Sequence, residues 1–377
     1  MPYCSICSVG DAHPGVTVGA DGVCSLCRLE VSGELLRNVH YARLTYETFR
    51  DSGPNADGEY DCLLMFSGGK DSTYLLDYFV NDCHKRVVAY TFAIPFESDA
   101  AAANIRLAQS KIPATFVTDQ DDDHIKAVVR SAFNRAPAKP GNYLDEKFPC
   151  LSCRTFFVIR AILYAYEHRI PYIIFCADPQ QILTMQSDVR EIARGFYGSF
   201  ARDVAGGEVE HALEELLFAP DDRLPKIVFP FVAMRGEYDP DRMIAELKAK
   251  ELYESSPLET HCTLFPLLNH YSFRHWNCMF YKLNASSFLR AAYKNKDLAR
   301  PSYSLKFPRA TNLVDVERRF KAILSEIAAG SGDPAQQEEA LISIFMELET
   351  GEDAARSAAR SCLAMRDVAA DLGIELA

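Results

Sequence analysis

The residues best suited to chemistry form one short stretch, which reads Ser67, Gly68, Gly69, Lys70, Asp71, Ser72 and Thr73. Its two glycines let the backbone turn tightly and approach a ligand closely. Its hydroxyl groups are hydrogen-bond donors, and the lysine ammonium is a point charge suited to phosphate. The stretch therefore predicts a phosphate-binding turn in which Lys70 and Asp71 are the candidate catalytic residues.

The segments on either side predict how this turn is held. Residues 61–66 are an apolar run typical of a buried parallel strand, and residues 71–80 repeat apolar side chains at helical spacing. The turn therefore opens a helix, whose free N–H groups attract an anion. The spacing matches neither the G-x-x-x-x-G-K-[ST] loop nor the G-x-G-x-x-G fingerprint of dinucleotide folds.

The turn resembles the PP-loop, S-G-G-x-D-S, of the ATP pyrophosphatases, whose positions all match between Ser67 and Ser72. In that family the loop holds the pyrophosphate of ATP while an oxygen of the substrate attacks the α-phosphate. The resemblance implies ATP as a substrate, an adenylated intermediate and released pyrophosphate. It also implies that the end of the second strand, at Phe92 and Ala93, holds the adenine through main-chain contacts. The family usually has Gly-His after its fourth strand, where this chain has Cys176 and Ala177.

Four cysteines near the N-terminus are spaced as zinc ligands. They form two C-x-x-C pairs, Cys4 with Cys7 and Cys24 with Cys27, and sixteen residues separate the pairs. This spacing favours a closed tetrahedral Zn²⁺ site in a ribbon too small to hold a core, with unligated cysteines as the alternative. A redox role is disfavoured because no thioredoxin-like β-α-β pattern accompanies the motifs. A ribbon ahead of a PP-loop resembles the start of the N-acetyl sugar amidotransferases and of several PP-loop thiolation enzymes.

A second cysteine group follows the turn. Cys150 and Cys153 form another C-x-x-C pair, and Cys262 comes later in the chain. The arrangement resembles the PP-loop tRNA thiolation enzymes, in which such a pair and one distant cysteine hold a [4Fe–4S] cluster by three thiolates. The resemblance implies an iron with an open position, which can bind sulfide for transfer to an adenylated carbon.

The same cysteines allow other interpretations. Cys150 and Cys153 can act as a persulfide or disulfide pair that carries sulfur. They can also hold zinc with His261 or Cys262, or serve only as structural residues. Two other cysteines can replace Cys262 as the third ligand, namely Cys176 and Cys278. Three more lie in apolar or helical segments and are expected to be inert, namely Cys62, Cys83 and Cys362.

Strands alternate with helices along the middle of the chain. Apolar runs predict strands at residues 61–66, 86–92, 114–117, 170–176 and 226–231, with helices between them. The alternation predicts an α/β fold with a doubly wound parallel sheet, the PP-loop or HUP-like arrangement. Ligands in such sheets bind beyond the carboxyl ends of the strands. We therefore expect the glycine turn, Phe92, Cys150, Cys153 and residues 178–181 at one edge.

These patterns divide the chain into five regions. We expect a zinc ribbon over residues 1–30, a helix and linker over 31–60, and the PP-loop ATP-binding core over 61–185. A region that covers the substrate or cluster follows over 186–310, and a helical C-terminal tail over 311–377. The apolar spacing of Phe320, Leu324 and Ile327 indicates packing or dimerisation, so a homodimer is expected.

Composition and charge set the class of protein. The chain has 377 residues, 48% of them apolar, and a net charge of −12, which gives no general attraction to nucleic acid. No apolar run reaches the ~20 residues that span a membrane, and no secretory leader precedes the cysteines, so a cytoplasmic location is expected. Twelve cysteines there favour metal or catalytic roles over disulfides.

The acidic cluster at 119–123 is interpreted as a solvated helix N-terminus or a magnesium site, and Arg160 as surface charge or part of a basic patch.

Two functions follow from these features. The favoured one is an ATP-dependent sulfurtransferase, in which the turn binds ATP, Asp71 acts with Mg²⁺, and Cys150 and Cys153 supply sulfur. Its acceptor is expected to be a small molecule or a carrier-bound substrate rather than tRNA, and a sulfur donor is needed. The alternative is an amidotransferase like those acting on N-acetyl sugars, which needs ammonia from a glutaminase partner. A nucleotide-binding regulatory module leaves the complete set of loop residues unexplained.

Overall fold

The computed structural model describes residues 4–5, 17–28, 33–135, 149–177, 187–234, 238–254, 262–277, 279–280, 313–348 and 352–376. Two compact units divide the chain. The sheet unit comprises Val31–Val128 and Leu151–Glu254, and the helical unit comprises Met1–Glu30, Val129–Cys150 and Ser255–Ala377. The boundary between Cys150 and Leu151 falls inside one helix.

The described part of the sheet unit contains five strands, all parallel to their neighbours. They are β1 (Cys62–Met65), β2 (Val87–Ala93), β3 (Thr115–Gln120), β4 (Tyr172–Ile174) and β5 (Lys226–Val228). Apolar runs such as Leu63–Leu64 and Ile173–Ile174 are fully buried, as expected for a parallel sheet covered on both faces. The predicted α/β fold with a parallel sheet is confirmed.

Helices lie between the strands and continue after them. They are α1 (Ser25–Arg28), α2 (Gly33–Asp51), α3 (Lys70–Asp77), α4 (Asp99–Lys111), α5 (Asp122–Phe133), α6 (Pro149–Glu167), α7 (Val189–Val204), α8 (Glu208–Phe218), α9 (Pro230–Ala233), α10 (Pro240–Ala249), α11 (Phe265–Trp276), α12 (Leu313–Ala329), α13 (Pro334–Glu347), α14 (Glu352–Leu363) and α15 (Met365–Leu372). Side-chain caps fix several of these starts. Ser98, for example, accepts a hydrogen bond from the Ala101 N–H at the start of α4.

The strand order is β3-β2-β1-β4-β5. The chain winds from β1 through β2 to β3 and then returns to β4 and β5 on the other side of β1. The order therefore reverses beside β1. In doubly wound sheets this reversal opens a crevice at the carboxyl ends of the strands, and ligands bind there.

The helix α2 covers one side of the sheet unit and runs antiparallel to the strands. Its residue Phe49 packs on Tyr172, the first residue of β4, with ring centroids 5.1 Å apart. Near the same end, Lys85, which precedes β2, donates a hydrogen bond to the Phe49 carbonyl. The helix also packs against β5 and α9, and α9 begins just after the carboxyl end of β5. Its C-terminal end thus lies at the amino edge of the sheet.

The fifth strand is shorter than the sequence predicts. It ends at Val228 rather than 231, because Pro230 starts the short helix α9. The helix α6 begins at Pro149, so Cys150 and Cys153 lie within its first turns. The predicted helical C-terminal tail contains α14 and α15, which are separated at Ala364.

Aromatic side chains form the core of the helical unit. The ring of Phe320 in α12 packs against Phe345 of α13 at 5.6 Å, Phe273 of α11 at 5.9 Å and Phe265 of α11 at 6.5 Å. Phe320 and Leu324 are fully buried within this unit. Their helical spacing therefore reflects packing inside the chain, and the homodimer stays a prediction.

A membrane span requires a helix that is both long and apolar. Among the described residues, none of the helices is both long enough and apolar enough to cross a bilayer.

Candidate active site

The glycine turn connects β1 to α3 in a strand–turn–helix, as predicted. The Phe66 N–H donates to the Tyr90 carbonyl at 2.8 Å, which extends the pairing of β1 and β2 to the start of the turn. Gly68 then adopts a left-handed conformation with φ of +68°. A Cβ atom at this position would lie 2.8 Å from the Ala101 carbonyl oxygen and 2.9 Å from Ile105 Cγ1. Only glycine fits between the turn and α4.

Hydroxyl groups hold the turn closed. Ser72 Oγ accepts a hydrogen bond from the Ser67 N–H at 3.3 Å, and donates to the Gly69 carbonyl at 3.1 Å. The Thr73 N–H donates to the same carbonyl at 2.9 Å, which closes the first turn of α3. The residue that precedes α3 is Gly69, which provides no side-chain cap. The first N–H groups of α3 are therefore directed at the space above the turn.

Two side-chain oxygen atoms of the turn have no partner among the described residues. Lys70 Nζ lies 3.0 Å from Asp71 Oδ2, and both side chains keep part of their surface accessible. Within the described part of the chain, Asp71 Oδ1 and Thr73 Oγ1 are buried and lack any hydrogen-bond partner. Buried polar groups are otherwise almost always satisfied, so these atoms mark a place where a ligand or cation completes the site.

Cys176 lies beside the turn, although the sequence identified it only as a departure from the family pattern and a substitute third ligand. It follows β4 and packs against the core of the sheet unit. Burial raises the pKa of its thiol well above the ordinary value of 9.0, and the nearby carboxylate of Asp71 raises it further. Cys176 is therefore a neutral thiol near Asp71. Residues 178–181, predicted at the same edge, lie outside the described residues.

The predicted adenine segment is the end of β2. The Phe92 ring packs against Phe156 and Phe157 of α6, with centroids 5.4 and 5.3 Å away. Ala93, the last residue of the strand, is still paired with Gln120 of β3. The Thr91 hydroxyl donates to the Phe66 carbonyl at 3.0 Å, so this strand end is tied to the glycine turn. The main-chain contacts of Phe92 and Ala93 with adenine stay a prediction.

Ring contacts give the direction of α6. Tyr90 of β2 packs on Tyr164 with centroids 5.2 Å apart, whereas Phe92, which is further along the strand, packs on Phe156, which is earlier in the helix. The helix therefore runs antiparallel to the strand. Cys153 precedes Phe156 by almost one helical turn, and so lies beyond the carboxyl end of β2. This is the edge of the sheet that carries the glycine turn.

The sequence interpretation of the acidic cluster as a helix N-terminus holds only in part, because Asp122 and Asp123 begin α5 whereas Asp119 belongs to β3. Arg160 of α6 binds Asp119 with Nε–Oδ2 at 2.8 Å and Nη2–Oδ1 at 2.9 Å, and the Tyr90 hydroxyl donates to the same carboxylate. Arg160 also contacts Asp121, whose carboxylate binds His124 Nδ1 at 2.9 Å. Asp119 is the fifth residue of β3, and its charge is neutralised by Arg160, which is distant in the sequence. A magnesium site there loses its support.

The Asp119 network has clear electrostatic consequences. Burial raises the pKa of Asp119, but hydrogen bonds from Arg160 and Tyr90 outweigh burial and hold the pKa below its ordinary value of 3.8. Burial and the neighbouring carboxylate raise the pKa of Tyr90. Sequence reasoning interpreted Arg160 as surface charge or part of a basic patch and did not identify its role. The position of Arg160 on the sheet-facing side of α6 is the feature of the sequence that would have indicated a buried ion pair.

Cys150 and Cys262 interact within the helical unit. Burial raises the pKa of the Cys262 thiol to about 12, the Leu264 N–H opposes this shift, and the neighbouring Cys150 adds to it. Cys150 and Cys153 are one turn apart on α6 and are half-buried. Among the described residues, no three Cys, His, Asp or Glu side chains are grouped closely enough to hold a metal ion. His261 and Cys278 lie outside the described residues.

Part of the predicted zinc ribbon is described. Val18 and Cys24 form an antiparallel bridge, and the Cys24 N–H donates to Cys4 Sγ at 3.3 Å. The two C-x-x-C motifs therefore approach each other at their first cysteines. Cys7 and the side chain of Cys27 lie outside the described residues. The Zn²⁺ site stays a prediction.

Comparisons with known proteins give little further information. No family model matches the chain, and no curated protein matches it. Among solved structures, an NMN synthetase from Francisella tularensis aligns with 12% identity and a TM-score of 0.29, over 63% of this chain and 93% of that one. The U34-tRNA thiolase NcsA from Methanococcus maripaludis, with its [4Fe-4S] cluster, aligns with 13% identity and a TM-score of 0.32, over 79% of this chain and 88% of that one. At these TM-scores the likeness carries no argument about this chain.

Proposed function

We propose that this chain is an ATP-dependent PP-loop enzyme that adenylates its substrate and releases pyrophosphate. The observation that carries the proposal is the glycine turn at the reversal of the strand order, with two buried oxygen atoms, on Asp71 and Thr73, that have no partner among the described residues. Uncapped N–H groups of α3 and the ammonium of Lys70 complement phosphate charge. This donor set fits a nucleotide phosphate chain with a divalent cation.

The adenylation step uses the residues of the turn. A substrate oxygen attacks the α-phosphorus of ATP, the bond to the bridging oxygen breaks, and pyrophosphate leaves. Lys70 and the N-terminal N–H groups of α3 stabilise the charge that develops on the leaving pyrophosphate. Asp71 Oδ1 is the candidate ligand for Mg²⁺, which screens the phosphate oxygens. The product is a substrate carbon activated as its adenylate.

The second step that we infer is sulfur transfer. We assign Cys150, Cys153 and Cys262 as the thiolate ligands of a [4Fe–4S] cluster, because Cys150 and Cys153 share one helical turn and Cys262 interacts with Cys150. Such a cluster supplies an iron with an open position that can bind sulfide. Hydrosulfide forms a C–S bond with the adenylated carbon, and AMP leaves with the original oxygen, so no electron is transferred. With a Cys153 persulfide instead, its outer sulfur forms the C–S bond as AMP leaves. Cys150 then attacks the Cys153 sulfur and releases the thiolated product, and a thiol reductant must later reduce the Cys150–Cys153 disulfide.

The alternative is an amidotransferase that traps the same adenylate with ammonia. The observation that favours it is the absence, among the described residues, of three cysteine, histidine or carboxylate side chains at metal-binding separations. The N-terminal motifs also suit this alternative, because Cys4 and Cys24 approach each other as two halves of a zinc ribbon would. It requires ammonia from a partner protein.

The remaining assignments are part of the same proposal. The net charge of −12 supports a small or carrier-bound acceptor over tRNA. A cytoplasmic location suits free thiols that must stay reduced. The proposal also includes a homodimer and a Zn²⁺ ribbon whose ligands are Cys4, Cys7, Cys24 and Cys27.

Anaerobic purification followed by two assays separates these functions. Iron and acid-labile sulfide near four of each per chain, with broad visible absorption, is the result expected for sulfur transfer. A colourless protein that contains only zinc supports amidation. Pyrophosphate release should be lost in Lys70→Ala and kept in Cys150→Ala, which should stop only the second step. Pyrophosphate release by Lys70→Ala at the wild-type rate would refute adenylation at this turn.

A further inference from the structure

Arg43 lies on the part of α2 that reaches the carboxyl edge of the sheet. The helix passes from that edge, where it packs on α9, to the amino edge, where Phe49 packs on Tyr172. A helix rises about 1.5 Å per residue, so Arg43 is roughly 9 Å nearer the carboxyl edge than Phe49. The neighbouring strand β4 has only three residues and is about as long as this rise. Because Cβ atoms tilt toward a helix N-terminus, the long side chain of Arg43 extends further toward this edge.

The guanidinium of Arg43 is a cation for which the described residues provide no counter-ion. Within the described part of the chain, its Nε and Nη2 atoms are buried and have no hydrogen-bond partner. Its neighbours Ala42, Thr45 and Tyr46 are buried, so the side chain is held in a packed environment. The residue as a whole is only partly buried. A charged group deprived of water and of partners is strongly unfavourable, and an anion is what relieves it.

The two sides of the sheet edge have different chemistry. On the β3 side, the cation of Arg160 is already neutralised by Asp119 and Asp121. On the β4 and β5 side, Arg43 offers paired N–H donors in a geometry that matches phosphate oxygens. Phe231 of α9 packs on Tyr74, which belongs to the second turn of α3, so the elements around Arg43 adjoin the helix that opens at the glycine turn.

We propose that Arg43 binds an oxyanion of the phosphate chain, namely the terminal phosphates of ATP or the pyrophosphate that leaves. The inference rests on the proposed function, because it requires the nucleotide to bind at the glycine turn. It assigns the end of the phosphate chain to the β4 and β5 side of that turn, opposite the predicted adenine segment at Phe92. Arg43 thereby adds to Lys70 a second cation, contributed by a helix outside the loop motif.

The test uses the full chain and inorganic pyrophosphate, with AMP as the ligand that lacks the terminal phosphates. Arg43→Met should weaken pyrophosphate binding by roughly tenfold to a hundredfold in isothermal titration, because hydrogen bonds to charged groups are lost. AMP binding should be unchanged. Without ligand, Arg43→Met should melt at the wild-type temperature or above, because the substitution removes an uncompensated buried charge. Arg43→Lys keeps the charge and should restore part of the pyrophosphate affinity.

A matched control comes from the same helix. Arg50→Met also removes one positive charge from α2, but Arg50 is half exposed and is paired with Asp51, so pyrophosphate binding should not change. Lys70→Met distinguishes this inference from the proposed function. Suppose that the wild-type chain binds pyrophosphate and that Lys70→Met weakens this binding but Arg43→Met does not. The inference about Arg43 then fails, and the proposed function stands. If wild type binds neither ATP nor pyrophosphate, both fail. An Arg43→Met protein that unfolds at a lower temperature or does not fold also overturns the inference, since the arginine would then pair within the chain.

Discussion

Arg160 on α6 and Asp119 on β3 form a two-point ion pair, with Nε–Oδ2 at 2.8 Å and Nη2–Oδ1 at 2.9 Å. Arg160 follows Cys153 by about two helical turns. Asp119 is next to the last residue of its strand. The pair therefore ties the cysteine-bearing helix to the carboxyl edge of the sheet, where the glycine turn also lies.

Asp119→Asn should destabilise the chain by about 2 kcal/mol, because it removes the two-point charge partner of a largely buried guanidinium and leaves only the longer contact with Asp121. The pKa of Asp119 in the folded state is below its ordinary value of 3.8. Its contribution to stability is therefore present above pH 3.8 and is lost as the pH falls through the folded-state pKa. Urea unfolding at a series of pH values should show the two proteins converging in acid.

The control for this pair is Lys126, which faces Asp122 at 4.0 Å with both side chains about a third exposed. Lys126→Met should change the free energy of unfolding by less than about 0.5 kcal/mol. Equal losses in Asp119→Asn and Lys126→Met would contradict the special role of Arg160.

Gly68→Ala should destabilise the chain by about 3 kcal/mol and abolish ATP binding. The left-handed backbone costs an alanine about 1–2 kcal/mol, and its Cβ would approach the Ala101 carbonyl to 2.8 Å. Thermal unfolding and ATP titration measure the two effects. Gly198→Ala is the matched change, because Gly198 lies within α7 and a Cβ atom added there would meet nothing within 4 Å. It should stabilise the helix by up to about 1 kcal/mol, and a loss in Gly198→Ala as large as in Gly68→Ala would argue against steric crowding at the turn.

Asp71→Asn should separate activity from stability. The amide keeps the shape of a side chain whose Oδ1 atom has no hydrogen-bond partner among the described residues, so the free energy of unfolding should change by about 1 kcal/mol or less. Pyrophosphate release should fall by roughly a hundredfold or more, because the candidate Mg²⁺ ligand is weakened. Steady-state assays and urea unfolding of the same preparations provide the comparison. A large loss of stability with normal pyrophosphate release would assign Asp71 a structural role.

The third cysteine ligand can be identified by metal content. Cys262 interacts with Cys150, whereas Cys176 interacts with Asp71 and Cys62. Cys262→Ala should therefore lose most of the iron and acid-labile sulfide of anaerobically prepared protein, and Cys176→Ala should keep both. The opposite pattern would move the cluster from the Cys150 side to the end of β4.

Local sequence determined the glycine turn and the parallel sheet around it. The Ser67–Thr73 motif, the apolar runs and the helical periodicity all act over short distances, so the strand–turn–helix and the α/β alternation could be predicted. Gly68 shows the limit of this reasoning. Its left-handed backbone is a local preference, but its contact with Ala101 and Ile105 depends on how α4 packs.

Tertiary structure decided which charges are paired. The sequence placed Asp119 in an acidic cluster and Arg160 among surface bases, forty-one residues apart, and only the packing of α6 across β2 and β3 brings them together. The packing of α2 likewise leaves Arg43 without a partner among the described residues, which no pattern in α2 indicated. Pairing depends on distances set by the whole fold, whereas the turn is encoded within seven consecutive residues.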